Sequence, residues 1–156
     1  MRLANEGLAF GNMENKKVLY HKLTAGLLSA GRHWRRAVNL ALEPYEVTEA
    51  SAAPLLWIAE LGGGVRQVTL ASYLEIEPAS LVRSIDQLEK LELIVRKHDP
   101  ADRRAKTLWL TPAGHKLILE LEQIFDELYG KLFGVVADED LEAASRVLSS
   151  FEGLGN

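Results

Sequence analysis

Apolar residues recur every three or four positions along most of the chain, which is the spacing of amphipathic helices. The first stripe predicts a long helix over about residues 16–42, which Pro44 ends. A second helix is predicted from the N-cap residue Thr48 to the glycine run at 62–64. Residues 1–15 mix glycine and asparagine without an apolar period, so we expect them to form a poorly ordered leader.

The middle of the chain predicts shorter elements. Two short helices, Thr69–Leu74 and Pro78 to about Leu91, are separated by only three residues. Alternating apolar residues then predict two strands, Ile94–His98 and Lys106–Leu110, which the turn residues between them would join into a hairpin. Two helices joined by a tight turn and followed at once by a hairpin describe a winged helix-turn-helix.

Two more helices are predicted after the hairpin. Thr111 and Pro112 open a long one, and the last begins near Asp138. The predicted fold class is therefore α+β and mainly helical, with a winged helix-turn-helix lobe at residues 46–111 between helices from the two ends of the chain.

Charge is distributed unevenly along the chain. The net charge of −4 disfavours a partner that is held mainly by charge, such as nucleic acid. Residues 111–156 carry three Lys or Arg against nine Asp or Glu, however, whereas residues 94–106 carry five against two. A basic tip on an acidic body suits local contact with an anion.

Composition argues against several classes of chemistry. Cysteine is absent, which removes disulfides, thiolate zinc sites and cysteine nucleophiles. The four histidines are scattered, and no nucleophile elbow, phosphate-binding loop or His-Glu-x-x-His run occurs. No apolar run is long enough for a signal peptide or a membrane span. The sequence thus predicts a cytoplasmic protein with no catalytic residues, no metal site, no cofactor and no membrane partner.

The second short helix would bury one apolar face and turn a polar face outward. The outward residues are Ala79, Ser80, Arg83, Ser84, Gln87 and Lys90. Small and hydrogen-bonding residues with an arginine one turn in are suited to reading base edges in the major groove. Arg83 could instead pair with Asp86 or Glu89 at helical spacing.

Two runs of sequence closely resemble the MarR family of bacterial transcription regulators, and within it the SlyA-like branch. They are EPASLVRSIDQLEKLEL, residues 77–93, and DPADRRAKTLWLTPAG, residues 99–114. The resemblance implies a sequence-specific DNA-binding regulator, usually a repressor, which binds a pseudo-palindromic promoter site as a homodimer. It also implies that residues 16–44 and 112–156 form the dimerisation helices.

The resemblance further implies roles for single residues. Arg104 would enter the minor groove, Asp102 would brace it and Arg103 would lie near a phosphate. Ser80 and Arg83 match the base-reading positions of the family. The residues predicted to bind DNA are therefore Ser80, Arg83, Ser84, Gln87, Asp102, Arg103, Arg104 and Lys106.

The family also takes up small aromatic acids in a crevice between its first helices and its DNA-binding lobe. The candidate effector-binding residues here are Trp34, Ser51 and His33. An effector that favoured a wrong spacing of the two lobes would weaken DNA binding. The alternative for Trp34 is a core role, since it lies on the apolar stripe of the first helix.

The sequence departs from the pattern at two positions. Glu75 stands in the turn between the short helices, where many helix-turn-helix units have glycine. Trp109 stands on the second strand, where SlyA-like relatives tend to carry a polar residue. Two other functions stay open: a winged-helix module that binds proteins instead of DNA, and, with less support, an enzyme that binds small molecules.

Overall fold

The computed structural model describes residues 3–102 and 104–152, with the side chains described from residue 14 onwards. Within these ranges the α-helices are α1 (Leu3–Leu42), α2 (Glu49–Glu60), α3 (Gln67–Tyr73), α4 (Pro78–Lys90), α5 (Pro112–Phe133) and α6 (Asp138–Ser149). The strands are β1 (Val65–Arg66), β2 (Ile94–His98) and β3 (Lys106–Leu110), and a 3-10 helix, Glu43–Tyr45, follows α1.

The three strands form one antiparallel sheet in the order β1-β3-β2. The hairpin of β2 and β3 has the predicted bounds, and its register places Val95 opposite Trp109. Strand β1 was not predicted, because two residues are too few to show an alternating pattern. Its pairing of Arg66 with Thr107 attaches the segment before α3 to the hairpin. The predicted mainly helical α+β class with a winged helix-turn-helix is confirmed.

Helix α1 begins much earlier than predicted. The sequence predicts a leader over residues 1–15, but the helix already begins at Leu3. The two glycines in this segment, Gly7 and Gly11, each disfavour helix by about 1 kcal/mol. Extending an existing helix nevertheless adds a hydrogen bond for every residue ordered, and no proline interrupts the segment.

A single apolar core holds the lobe together. It consists of the inner faces of α2, α3 and α4, the sheet, the end of α1 and the first turns of α5. The fully buried side chains include Leu42, Leu55, Ile58, Leu70, Leu81, Ile85, Leu88 and Leu121. This core fixes α4 against the hairpin, so the two elements predicted to contact DNA belong to one packed unit.

The turn between α3 and α4 uses a left-handed residue. Glu75 has a φ of 53°, and the amides of Glu75 and Ile76 bond to the carbonyls of Ser72 and Ala71. This conformation costs a residue with a Cβ roughly 1–2 kcal/mol. The turn therefore keeps the geometry that glycine provides in many helix-turn-helix units, with a glutamate in its place.

Candidate nucleic-acid interface

Helix α4 is anchored on one face and open on the other. Its N-cap residue Glu77 is extended and Pro78 occupies the first turn, which is the arrangement that begins a helix cleanly. Leu81, Ile85 and Leu88 are buried, as predicted. The predicted outward residues Ser80 and Arg83 are exposed.

Two other predicted residues of α4 are only half-exposed. Ser84 and Gln87 are both partly covered. The amide nitrogen of Gln87 donates a 2.8 Å hydrogen bond to the carbonyl of Glu46, which itself has a left-handed φ of 57°. Gln87 therefore braces the connection between α1 and α2, and its side-chain oxygen and second N–H are left to bond to a base.

The acidic residues of α4 pair with strand β2 and not with Arg83. The guanidinium of Arg96 bonds to the carboxylates of Asp86 and Glu89 at once. Among the described residues, Arg83 makes no ion pair, so the alternative pairing considered for it is not formed. Arg96 was counted in the basic tip, but its charge is neutralised by α4. The sequence does contain a signal for these pairs. Asp86 and Glu89 stand three positions apart on a helix, and Arg96 follows them closely in the chain.

The wing is a tight loop whose backbone is held by its own acids. Asp102 accepts a 3.0 Å hydrogen bond from the backbone amide of Arg104 through its carboxylate, and a 2.9 Å bond from Ala105 through its carbonyl. Asp102 thus supports the backbone at Arg104. The side chains of Arg104 and Lys106 are exposed, and Arg103 lies outside the described residues.

An ion pair between an exposed arginine and a nearly buried carboxylate lies at the base of the wing. Both Nε and Nη2 of Arg66 lie 2.7 Å from Oδ2 of Asp99, and the backbone amide of Ala101 donates to Oδ1 at 2.8 Å. The hydrogen bond from Ala101 and the guanidinium of Arg66 hold the pKa of the Asp99 carboxyl below its usual range. Neither residue was predicted as part of the site, because they stand far apart in sequence.

Trp109 packs on the glycine turn that ends α2. Its ring lies so close to Gly63 that a Cβ there would be 2.9 Å from the ring, and Gly63 and Gly64 have φ values of 79° and 70°. The indole nitrogen donates a 3.0 Å hydrogen bond to Thr107, and Lys97 lies 4.9 Å above the ring. The glycine run thus ends α2 and leaves space for the ring of Trp109, which stands where SlyA-like relatives tend to carry a polar residue.

Two of the three predicted effector-binding residues line one apolar cavity of about 800 Å³ between α1 and α5. Trp34 stacks on Tyr129 with ring centroids 5.7 Å apart and planes 6° apart. His33 and Lys131 also line this cavity. Ser51 does not: it is fully buried, and its hydroxyl accepts a 2.8 Å hydrogen bond from the amide of Thr48 in the capping box of α2. The side chain that the family resemblance placed near the effector is used here as a helix cap.

This geometry has close counterparts among known proteins. Residues 47–106 match the model of the MarR family. The segment is similar to the winged helix-turn-helix of that family.

Several solved structures match most of the chain. CouR from Rhodococcus jostii RHA1, bound to p-coumaroyl-CoA, is 28% identical, with 88% of this chain and 96% of that chain covered and a TM-score of 0.76. A MarR-family transcriptional regulator from Rhodococcus sp. RHA1 is 27% identical, with 87% and 97% covered and a TM-score of 0.75. The S. aureus MepR–DNA complex, at 24% identity, 80% and 90% coverage and a TM-score of 0.72, shares the fold.

The lobe holds most of the predicted DNA-binding residues on two adjacent elements. Ser80, Arg83, Ser84 and Gln87 lie on α4, and Asp102, Arg104 and Lys106 lie on the hairpin. In the part of the chain that the structure describes, no group of three His, Asp or Glu side chains is placed to hold a metal ion. Likewise, none of the helices described has the length and apolar character needed to cross a membrane.

Proposed function

We propose that the protein is a sequence-specific regulator of transcription that binds double-stranded DNA through α4 and the wing. The observation that carries this proposal is the division of charge on α4. Arg96 binds both acids of the helix, Asp86 and Glu89, while Arg83 is left exposed without an ion pair among the described residues. A face whose carboxylates are neutralised and whose arginine is exposed is suited to bind guanine without repelling the flanking phosphates.

The wing supports the same function. Arg104 and Lys106 are exposed, and the loop that carries them is closed by five backbone and side-chain hydrogen bonds at Asp99 and Asp102. A short loop that presents arginine from a fixed backbone is suited to a narrow minor groove, where the negative potential is strongest. Two contact elements on one packed lobe would give both base reading and phosphate attraction.

We further propose that two copies bind one pseudo-palindromic site. Helices α1, α5 and α6 expose large apolar side chains that the single chain leaves uncovered, among them Val18, Leu19, Leu23, Leu27, Leu132, Val147 and Leu148. Apolar surface on this scale marks an interaction surface. A dimer through these helices would set two α4 helices about 34–36 Å apart, which is one turn of DNA.

The cavity beside Trp34 suits a small aromatic acid as effector. Stacked aromatic walls from Trp34 and Tyr129 would cover a planar ring, and His33 and Lys131 would lie near its carboxylate. A second cavity of about 470 Å³, next to Trp57, is lined instead by the carboxylates of Glu60 and Glu122, which disfavour an anion. CouR, which is similar in fold, is bound to an aromatic acyl-CoA. We propose release of the DNA by such an effector, with repression as the regulatory outcome.

The rival function is a winged-helix module that binds another protein. Binding to a protein would not require Arg83 or Arg104, whereas binding to DNA would. The experiment selects binding sites for the purified protein from a pool of random duplexes and then measures affinity for the selected site against a scrambled duplex at 0.15 M salt. We expect at least a thousandfold preference for the selected site. Salicylate is then added as the effector probe and is expected to reduce this preference.

A matched pair of variants makes the test specific. Arg83→Ala removes a cation from α4, and Arg146→Ala removes one from α6, where Arg146 pairs with Glu142 at 3.8 Å on the same helix. We expect Arg83→Ala to relax preference at one base pair in each half-site and Arg146→Ala to change nothing. Failure of the selection to enrich any site, with equal weak binding to all duplexes, would favour the protein-binding module.

A further inference from the structure

The ion pair between Arg66 and Asp99 lies where the two halves of the DNA-binding lobe meet. Arg66 is the last residue of β1 and the N-cap of α3, the first helix of the helix-turn-helix. Asp99 directly follows β2 and opens the wing loop. The pair therefore joins the helix-turn-helix to the base of the wing across 33 positions of sequence.

Asp99 also organises the loop itself. Its carboxylate accepts from the amide of Ala101, its own amide donates to the carbonyl of Ala105 at 3.1 Å, and its carbonyl accepts from Asp102 at 3.2 Å. The Asp99 side chain is only 12% exposed, although it stands in a segment, residues 94–106, that carries five Lys or Arg against two Asp. The loop that presents Arg104 is thus built on a carboxylate that Arg66 holds in place.

The role of Asp99 can be tested because its carboxylate is negatively charged, like DNA. An anion beside a DNA-contacting loop repels phosphate, so a carboxylate with no other role would weaken binding. We infer that Asp99 and Arg66 are positioning residues for the wing, and that DNA binding needs the Asp99 carboxylate despite its charge. The inference rests on the proposed function, because Arg104 must contact DNA for its position to matter.

The experiment compares two variants that each remove one negative charge from the lobe. Asp99→Asn keeps an oxygen that can accept from the Ala101 amide but loses the ion pair. Glu77→Gln removes a charge at the N-cap of α4, where the side chain makes no capping hydrogen bond. Affinity for the selected duplex is measured for both over a range of salt concentrations.

We expect the two variants to shift affinity in opposite directions. Glu77→Gln should bind equally well or more tightly, because it loses a repulsive charge. Asp99→Asn should bind more weakly, with a slope of log affinity against log salt that is smaller by about one, as expected when one cation leaves the DNA. Adding Asp99→Asn to Arg104→Ala should then cause no further change in the slope.

The outcomes separate this inference from the function on which it rests. Tighter or unchanged binding by Asp99→Asn, while Arg104→Ala weakens binding, would overturn the positioning role alone. No effect of Arg104→Ala on affinity or slope would overturn the wing contact and the inference together. Should Asp99→Asn fail to fold, Arg66→Lys keeps the charge but loses the two-nitrogen contact, and the same reduction of the slope is expected of it.

Discussion

Leucine side chains are buried to different extents in the lobe and in the helices from the two ends of the chain. In the lobe, leucines such as Leu81 and Leu88 are completely buried by elements of the same chain. On α1, α5 and α6, leucines such as Leu23, Leu132 and Leu148 are about half exposed. The lobe buries its own apolar side chains. The helices α1, α5 and α6, which we call the helical arms, leave an exposed apolar surface that a second copy can cover.

The ion pairs also differ between the two regions, because those of the helical arms lie within one helix and those of the lobe join separate elements. Those within α5 and α6, such as Lys131 with Glu127 and Arg146 with Glu142, join residues one turn apart and stabilise a helix by only a few tenths of a kcal/mol. The pairs of Arg66 and Arg96 join different elements of the lobe. Contacts between elements fix relative positions, which is what a surface that reads DNA requires.

The largest expected effect tests the closed core of the lobe. Leu88→Ala removes a fully buried side chain and should lower the free energy of unfolding by about 2–5 kcal/mol. Val68→Ala, at a position 68% exposed on α3, should change it by no more than about 0.5 kcal/mol. Urea unfolding measures both. Similar losses for the two variants would mean that the core has been placed wrongly.

A charged side chain introduced into the helical arms should disrupt the proposed dimer, whereas one introduced into the lobe should not. Leu23→Glu places a carboxylate on the apolar face of α1, and its desolvation without a partner should raise the dimer dissociation constant by a hundredfold or more, about 3 kcal/mol. Ile76→Glu is the control, since Ile76 is similarly exposed but lies between α3 and α4. Sedimentation equilibrium distinguishes them. A dimer that survives Leu23→Glu would contradict the proposed interface.

Removing Arg96 should impair DNA binding without removing a DNA contact. Arg96→Gln leaves the carboxylates of Asp86 and Glu89 unneutralised on α4, so we expect about a tenfold loss of affinity, or about 1.4 kcal/mol. The loss should be recovered by adding Asp86→Asn and Glu89→Gln. Fluorescence anisotropy with the selected duplex provides the measurement, and a loss that persists in the triple variant would argue for a direct contact by Arg96.

The smallest effect concerns the titration of Asp99. Its pKa is depressed, so the stability that it contributes is fully present above the ordinary aspartate value of about 3.9 and is lost as pH falls through the lower, folded-state pKa. Carboxyl-carbon NMR should therefore show Asp99 titrating below that value in the wild type. Arg66→Gln should move the midpoint upward. An unchanged midpoint in that variant would mean that Arg66 does not stabilise the carboxylate.

The sequence predicted the elements whose signal is periodic. The hairpin at Ile94–His98 and Lys106–Leu110 has the predicted bounds, and the buried face of α4 is the predicted one. The helical arms were predicted from their stripes, but the beginning of α1 was not, because glycines weaken a helix without ending it. Local pattern fixes local structure when repeated side chains share one face.

The parts that were missed depend on contacts between distant segments. Asp99 looks like an ordinary turn residue in the sequence, and only the pairing of β1 with β3 brings Arg66 to it. Ser51 and Gln87 were predicted to bind ligand and DNA as polar side chains, but the fold uses the hydroxyl of Ser51 as a cap and the amide nitrogen of Gln87 as a brace. Whether a polar side chain is available to a ligand is decided by its neighbours in the folded chain.

Base preference at α4 is the most direct measure of whether this helix reads DNA. Affinities of the wild type and of Arg83→Ala are measured for the selected duplex and for duplexes changed at each single base pair. We predict that Arg83→Ala loses about 1–3 kcal/mol of binding free energy and becomes indifferent to the base at one pair in each half-site, while it still discriminates at the other pairs. An Arg83→Ala protein that discriminates every base pair as the wild type does would contradict the assignment of α4 as the helix that reads DNA.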